Sequence, residues 1–270
     1  MRSVSRGWEP IGDKEGTTVL MKLTTLGLVG IAVLALNRTS MAIDMTFDNI
    51  QGQGVHYDYS GTRGSAISGN TTAGRFNWTV TSGETINGVT FNAGDQFTTF
   101  CTELTQFIST GDTFTYSSVA VADMPTVGQL AAPMGSFRAG LIQELFNNHY
   151  ATAVNGTTTQ AAAFQVAVWE IVYEDRVDDV GSSLTIAAAL DAGADSFMVS
   201  SNYDAVQQAN TWLDALTGNY SADDSLIGFG SGSAQDQLLL VPLPAPLWLA
   251  GAGLAGVVFG RRTLQRLALN

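Results

Sequence analysis

The sequence predicts an α+β domain: an antiparallel β-rich N-terminal half with helices packed on it, plus a single C-terminal transmembrane helix. Three observations predict it. From 52 to 95, apolar and polar residues alternate with a period of two, punctuated by Gly, Asn, Ser and Thr. After Ala131 the apolar period lengthens to that of a helix. Residues 238–260 then form an uncharged run of 23 residues, long enough to cross a bilayer.

The elements follow in order. Phe76-Asn77-Trp78-Thr79-Val80 and Val89-Thr90-Phe91 alternate as half-buried strands, with tight turns at Asn87-Gly88 and Ala93-Gly94. Thr and Phe around Cys101 favour a further strand. Helices are predicted over 137–150, 158–174 and 203–216. Residues 183–186 and 197–199 are expected to pair as strands between the last two helices. Residues 235–241 close the sheet, and 228–234 (GFGSGSA) read as a flexible joint.

Both ends look like targeting segments. Met21-Lys22 opens a short basic region, 23–36 supply a mostly apolar core, and Ser40-Met41-Ala42 presents small residues to a signal peptidase. Cleavage is expected after Ala42. Glu9, Asp13 and Glu15 are foreign to a signal's basic region, so residues 1–20 read as an upstream extension and Met21 as the start. At the other end Pro242, Pro244 and Pro246 stop a helix from extending upstream. The spanning part is expected at 247–260, and Arg261 and Arg262 hold its end on the cytoplasmic side.

Composition narrows the function. The chain carries a net charge of −12, and between 43 and 240 it has four arginines, no lysine and 21 acidic residues. Such a domain repels nucleic acid, which is excluded as a partner. There is no G-x-S-x-G, no H-E-x-x-H, no P-loop and no metal-spaced Cys/His cluster. No cofactor or metal is expected, and the domain is not expected to be an enzyme. The G-x-G-x-x-G of Gly251, Gly253 and Gly256 lies inside the apolar tail, without the β-α-β unit that gives that pattern its meaning.

Cys101 is the one cysteine, so no internal disulfide explains it in an exported protein. In the helix over 158–174, Gln165 shares its face with Ala161, Ala162, Val168, Trp169 and Val172. Glu170 and Glu174 fall on the opposite, outward face. An amide in an apolar stripe needs a partner. Two readings stand: Cys101 as a small hydrophobe with Gln165 bonded to backbone, or a reacting pair. A hydrolase using Cys101 with His149 or His56 is the competing class. His149 is expected at a helix end, as a surface cap.

Val241-Pro242-Leu243-Pro244, the apolar run with Trp248, and Arg261-Arg262 resemble the PEP-CTERM sorting signal in a V-P-L-P-A variant. Leu243 stands where the signature carries Glu. The resemblance implies domains at 1–42 (extension and signal peptide), 43–227 (extracytoplasmic), 228–240 (linker and last strand) and 241–270 (sorting signal). It also implies passage through the inner membrane, a transient anchor there, and cleavage by an exosortase-type membrane protease. Release to the cell surface or extracellular matrix follows, in bacteria that make exopolysaccharide.

Phe100-Cys101 and Gln165-Val166-Ala167-Val168-Trp169 are similar to the thioester domains of bacterial surface adhesins. That resemblance implies a bond between Cys101 and Gln165, shielded by Trp169, which acylates surface amines. Phe164 stands where that pattern usually has Thr.

Overall fold

The chain enters the fold on a long hairpin. β1 (Ala42–Tyr59) and β2 (Ile67–Val80) pair antiparallel over most of their length, with a bulge at Asp48. In the proximal half, alternation buries Ile43, Met45 and Phe47 on β1 and Phe76, Trp78 and Val80 on β2. Beyond the pair Gly52↔Gly74 the pattern inverts, and Ala73, Val55, Tyr57 and Tyr59 are buried instead. The distal half therefore turns its other face to a different layer. Only glycine fits the crossover: a Cβ on Gly52 would lie 1.9 Å from the carbonyl oxygen of Ala73, and one on Gly74 2.4 Å from that of Gln51.

The proximal half belongs to a barrel. β5 (Gln96–Cys101), β6 (Thr113–Val119), β8 (Leu226–Gly230) and β9 (Gln237–Leu240) continue the sheet in the order β2-β5-β9-β8-β6-β1. The β1–β2 pairing closes that ring, and every pairing in it is antiparallel. Aromatic rings fill the lumen: Phe47–Trp78 at 5.3 Å, Trp78–Tyr116 at 5.5 Å and Phe97–Phe229 at 6.2 Å between centroids. A small hairpin, β3 (Glu84–Ile86) and β4 (Val89–Phe91), sits on the β2–β5 connection. Its Asn87-Gly88 turn has φ of 51° and 79°, the left-handed pair that two-residue hairpin turns use.

Helices cover the distal half of the hairpin. α1 (Gly135–Asn155) and α2 (Thr158–Tyr173) are joined by a tight link in which Thr157 and Gln160 form a reciprocal capping box. α2 is the central helix: every residue from Ala161 to Tyr173 is buried, against β1, β2, α1 and α4 (Tyr203–Leu213). The buried Arg138 guanidinium donates to the carbonyls of Ile171 and Glu174 at 2.7 Å each, closing the last turn of α2. Between α2 and α4 lie the short α3 (Ile186–Ala189) and β7 (Phe197–Val199).

This computed structural model describes residues 42–241, apart from 127, 182–184 and 221–224. The expected signal peptide lies outside the described residues, as do Pro242, Pro244, Trp248, Arg261, Arg262 and the helix expected at 247–260. Val241 is described, and its amide donates to the Ser225 carbonyl at 2.8 Å. Among the described residues no helix is long and apolar enough to cross a membrane.

Several expectations are corrected. β7 pairs with Tyr57–Tyr59 of β1, where the distal hairpin offers a free edge; of the strand expected at 183–186, residues 183 and 184 lie outside the described residues and Ile186 opens a helical turn. Residues 228–230 are not a linker: they lie in β8, fully buried between β6 and β9, since the barrel cannot close without them. Glu170 and Glu174 do not face solvent; both are fully buried, because α2 is packed on all sides. His149 lies inside α1, not at its end, and stacks on Trp212 at 4.9 Å.

Candidate functional site

The site forms where β5 leaves the barrel. The Thr102 amide donates to the Asp236 carbonyl at 3.0 Å, so the even positions of β5 turn toward the β9 side. The odd positions turn toward β2, whose last pairing there is Phe76↔Thr99. Cys101 is one step beyond it, with no strand to meet its backbone on that side. Gln165 of α2 takes that place. Its Oε1 accepts from the Cys101 amide at 2.9 Å, and its Nε2 donates to the Cys101 carbonyl at 2.7 Å. The carboxamide thus acts as a one-residue surrogate strand, and both partners are buried completely.

The Cys101 thiol is fully buried and donates to the Glu103 carbonyl at 3.4 Å. Burial pushes its pKa up; the Trp169 side chain and the Glu103 carbonyl offset part of that. Trp169 is 1% exposed, and its side chain lies against the Cys101 thiol. The three residues singled out in the sequence, Cys101, Gln165 and Trp169, therefore meet at one place. Neither histidine joins them. His56 bonds Asn70 at 3.1 Å on the outer hairpin, and His149 rests on Trp212.

Sequence reasoning missed Glu103. It is fully buried two residues after Cys101, and its Oε2 accepts from the Asp236 amide at 3.0 Å while Oε1 has no partner. Burial first, and the Asp236 charge second, push its pKa up to about 8. Strand periodicity held a signal here, since positions 101 and 103 share a face. Nothing local announces Asp236, which is 133 residues away in sequence. Asp236 itself gathers Thr126 and Ser231: the Thr126 hydroxyl donates to it at 3.0 Å and the Ser231 amide at 2.8 Å. It thereby ties two loops to the barrel mouth.

The buried glutamates of α2 are structural anchors rather than part of this site. Glu174 accepts from the amides of Arg176, Ser196 and Phe197 at 2.9, 2.9 and 3.0 Å, fixing the connection to β7. Glu170 accepts from the Asp191 amide at 2.9 Å, and burial followed by the Glu174 charge raises its pKa well above the carboxylate range.

No family model matches the chain, and no sequence among the curated proteins matches it. Among solved structures it is similar to the N-terminal thioester domain of a surface protein from Clostridium perfringens. The two are 11% identical over 69% of this chain and 98% of that one, with a TM-score of 0.32. A likeness at that level carries no argument about what this chain does.

Proposed function

We propose that the chain is an exported bacterial surface or extracellular-matrix protein, structural or adhesive, in which Cys101 and Gln165 close to an internal thioester. The observation that carries this reading is the reciprocal contact of the Gln165 carboxamide with the Cys101 backbone, both fully buried beside Trp169. Attack of the sulfur on Cδ of Gln165 forms the C–S bond, breaks the C–N bond and releases ammonia with the thiol's proton. A primary amine on a target surface then takes the acyl group and restores the thiol. Excluding water preserves the acyl bond until an amine arrives.

The transit partners in this reading are signal peptidase at Ala42, the inner membrane, and an exosortase-type protease acting on the tail from Val241 to Arg262. Exopolysaccharide or surface amines are the extracellular partners. Replacing Arg261 and Arg262 is expected to leave an unprocessed precursor in the membrane; unchanged processing would sink the sorting assignment.

A second reading has its own observation. Both polar ends of the Gln165 amide are engaged by backbone, which is what a purely structural clamp requires. Intact mass of the purified full chain separates the two. The thioester form is lighter than the processed sequence by about 17 Da, one ammonia, and gains the mass of methylamine on treatment. Cys101→Ala removes both effects. A full mass that methylamine leaves unchanged makes Gln165 a clamp only.

A further inference from the structure

We propose that the Glu103 carboxyl is the proton-transfer group of the Cys101–Gln165 site. The proposal rests on the thioester reading above. Its independent support is a fully buried carboxylate oxygen without a hydrogen-bond partner, Glu103 Oε1, on the strand face that Cys101 also occupies, with the Cys101 thiol against the Glu103 carbonyl at 3.4 Å. One such atom costs about 1–3 kcal/mol in a folded core, and native structures carry few.

Around Glu103 lie Cys101 at the end of β5, Tyr173 on α2, and Gly128 and Gln129 ahead of α1. The Tyr173 hydroxyl interacts with Gln129, Glu103 and Cys101. Thr105 donates to Gln129 Oε1 at 3.0 Å, which aims the rest of that amide inward. Gly128, at φ +118°, backs onto the carboxyl: a Cβ there would lie 3.0 Å from Glu103 Oε1.

The titratable groups around Glu103 are Cys101 on β5, Tyr116 on β6, Tyr173 on α2 and Asp236 before β9. None is cationic, so no fixed positive charge holds the carboxyl ionised. In thioester formation Oε1 takes the thiol's proton as sulfur attacks Cδ, then passes it to the departing nitrogen, which leaves as ammonia. In amine transfer the same oxygen takes a proton from the attacking nitrogen and returns it to sulfur as the C–S bond breaks. Glu103 ends each step as it began.

Glu103→Gln tests this, because it keeps the acceptor for the Asp236 amide and removes the base. Full-length chains are compared by intact mass, by the rate of hydroxylamine uptake and by melting temperature. The wild type is expected to carry the deficit of about 17 Da, with uptake rising as pH passes about 8, where the carboxyl ionises. Hydroxylamine is already unprotonated at neutral pH, so that rise belongs to the protein. Glu103→Gln is expected to mature and react at least about 100-fold more slowly, with a flat profile.

A wild type without the deficit removes the thioester reading and this proposal with it. A wild type with the deficit and a variant matching it in rate and profile overturns the Glu103 assignment and leaves the thioester standing. Should the variant not fold, a flat wild-type profile through pH 8 overturns the assignment by itself.

Discussion

The barrel interior and the barrel mouth are both buried and both hold polar side chains, yet they treat them in opposite ways. Inside, the Trp78 indole donates to Thr99 Oγ1 at 2.8 Å, Thr99 donates to Gln237 Oε1 at 2.6 Å, and Gln237 Nε2 donates to the Gln235 carbonyl at 3.1 Å. Tyr116 donates to that same carbonyl at 3.1 Å. Every link is used. At the mouth, two residues past the end of β5, the buried Glu103 carboxylate keeps one oxygen, Oε1, without a partner. A satisfied network fixes a core, whereas an unsatisfied group persists where the rest of the fold imposes it.

That contrast can be broken by measurement. The largest effect is expected for Gln165→Ala, which leaves the Cys101 amide and carbonyl unpaired and opens a hole under α2. A loss of about 3–5 kcal/mol in urea unfolding is expected, against about 1–2 kcal/mol for Cys101→Ala. If the two variants cost the same, Gln165 is not standing in for a strand.

Next comes the lumen. Thr99→Val strands the Trp78 N–H and Gln237 Oε1 and should cost about 2–4 kcal/mol. Thr102→Val, three residues on, removes an unpartnered hydroxyl and should cost less than about 0.5 kcal/mol. Equal costs would erase the distinction between the two networks.

The pH dependence of stability sharpens it further. Glu103 has a folded pKa of about 8, above its unfolded value, so the folded state holds a proton that the unfolded state has released. Stability from this group is therefore present below the ordinary carboxyl range and falls as pH rises toward 8. Glu170 shifts in the same direction. Melting temperature should drop between pH 5 and 8, with a shallower slope in Glu103→Gln. An unchanged slope in that variant would assign the effect to Glu170 and Asp236, whose carboxyls burial also raises.

The smallest effect is expected for Tyr173→Phe. Its hydroxyl meets only Gln129 and the Leu104 backbone beside Glu103 and Cys101, so stability should move by about 0.5 kcal/mol. A measurable slowing of amine uptake without a change in melting temperature would place that hydroxyl at the reacting amine.

Legibility in the sequence varied by element. The helices over 158–174 and 203–216 emerge as Thr158–Tyr173 and Tyr203–Leu213, because their apolar spacing and caps are local. The Asn87-Gly88 turn was equally plain. Cys101, Gln165 and Trp169 stood out because a lone thiol and an amide in an apolar stripe are both anomalies that sequence can display. Glu103 did not stand out, since a carboxylate near a strand end usually meets water.

What the sequence determined by itself was the alternation of the strands, the helical period, the acidic, lysine-free character of the domain, and the three residues that meet. The closing strand at 235–241 was legible and emerges as β9, but tertiary structure alone decided that β8 joins it and that the two lie between β5 and β6, closing a barrel. It also decided that Glu170 and Glu174 are interior. Periodicity describes one helix's faces relative to each other, but burial depends on how many neighbours surround it, and α2 is enclosed on every side. The same enclosure brings Gln165 to the open edge at Cys101 and buries Glu103 beside it.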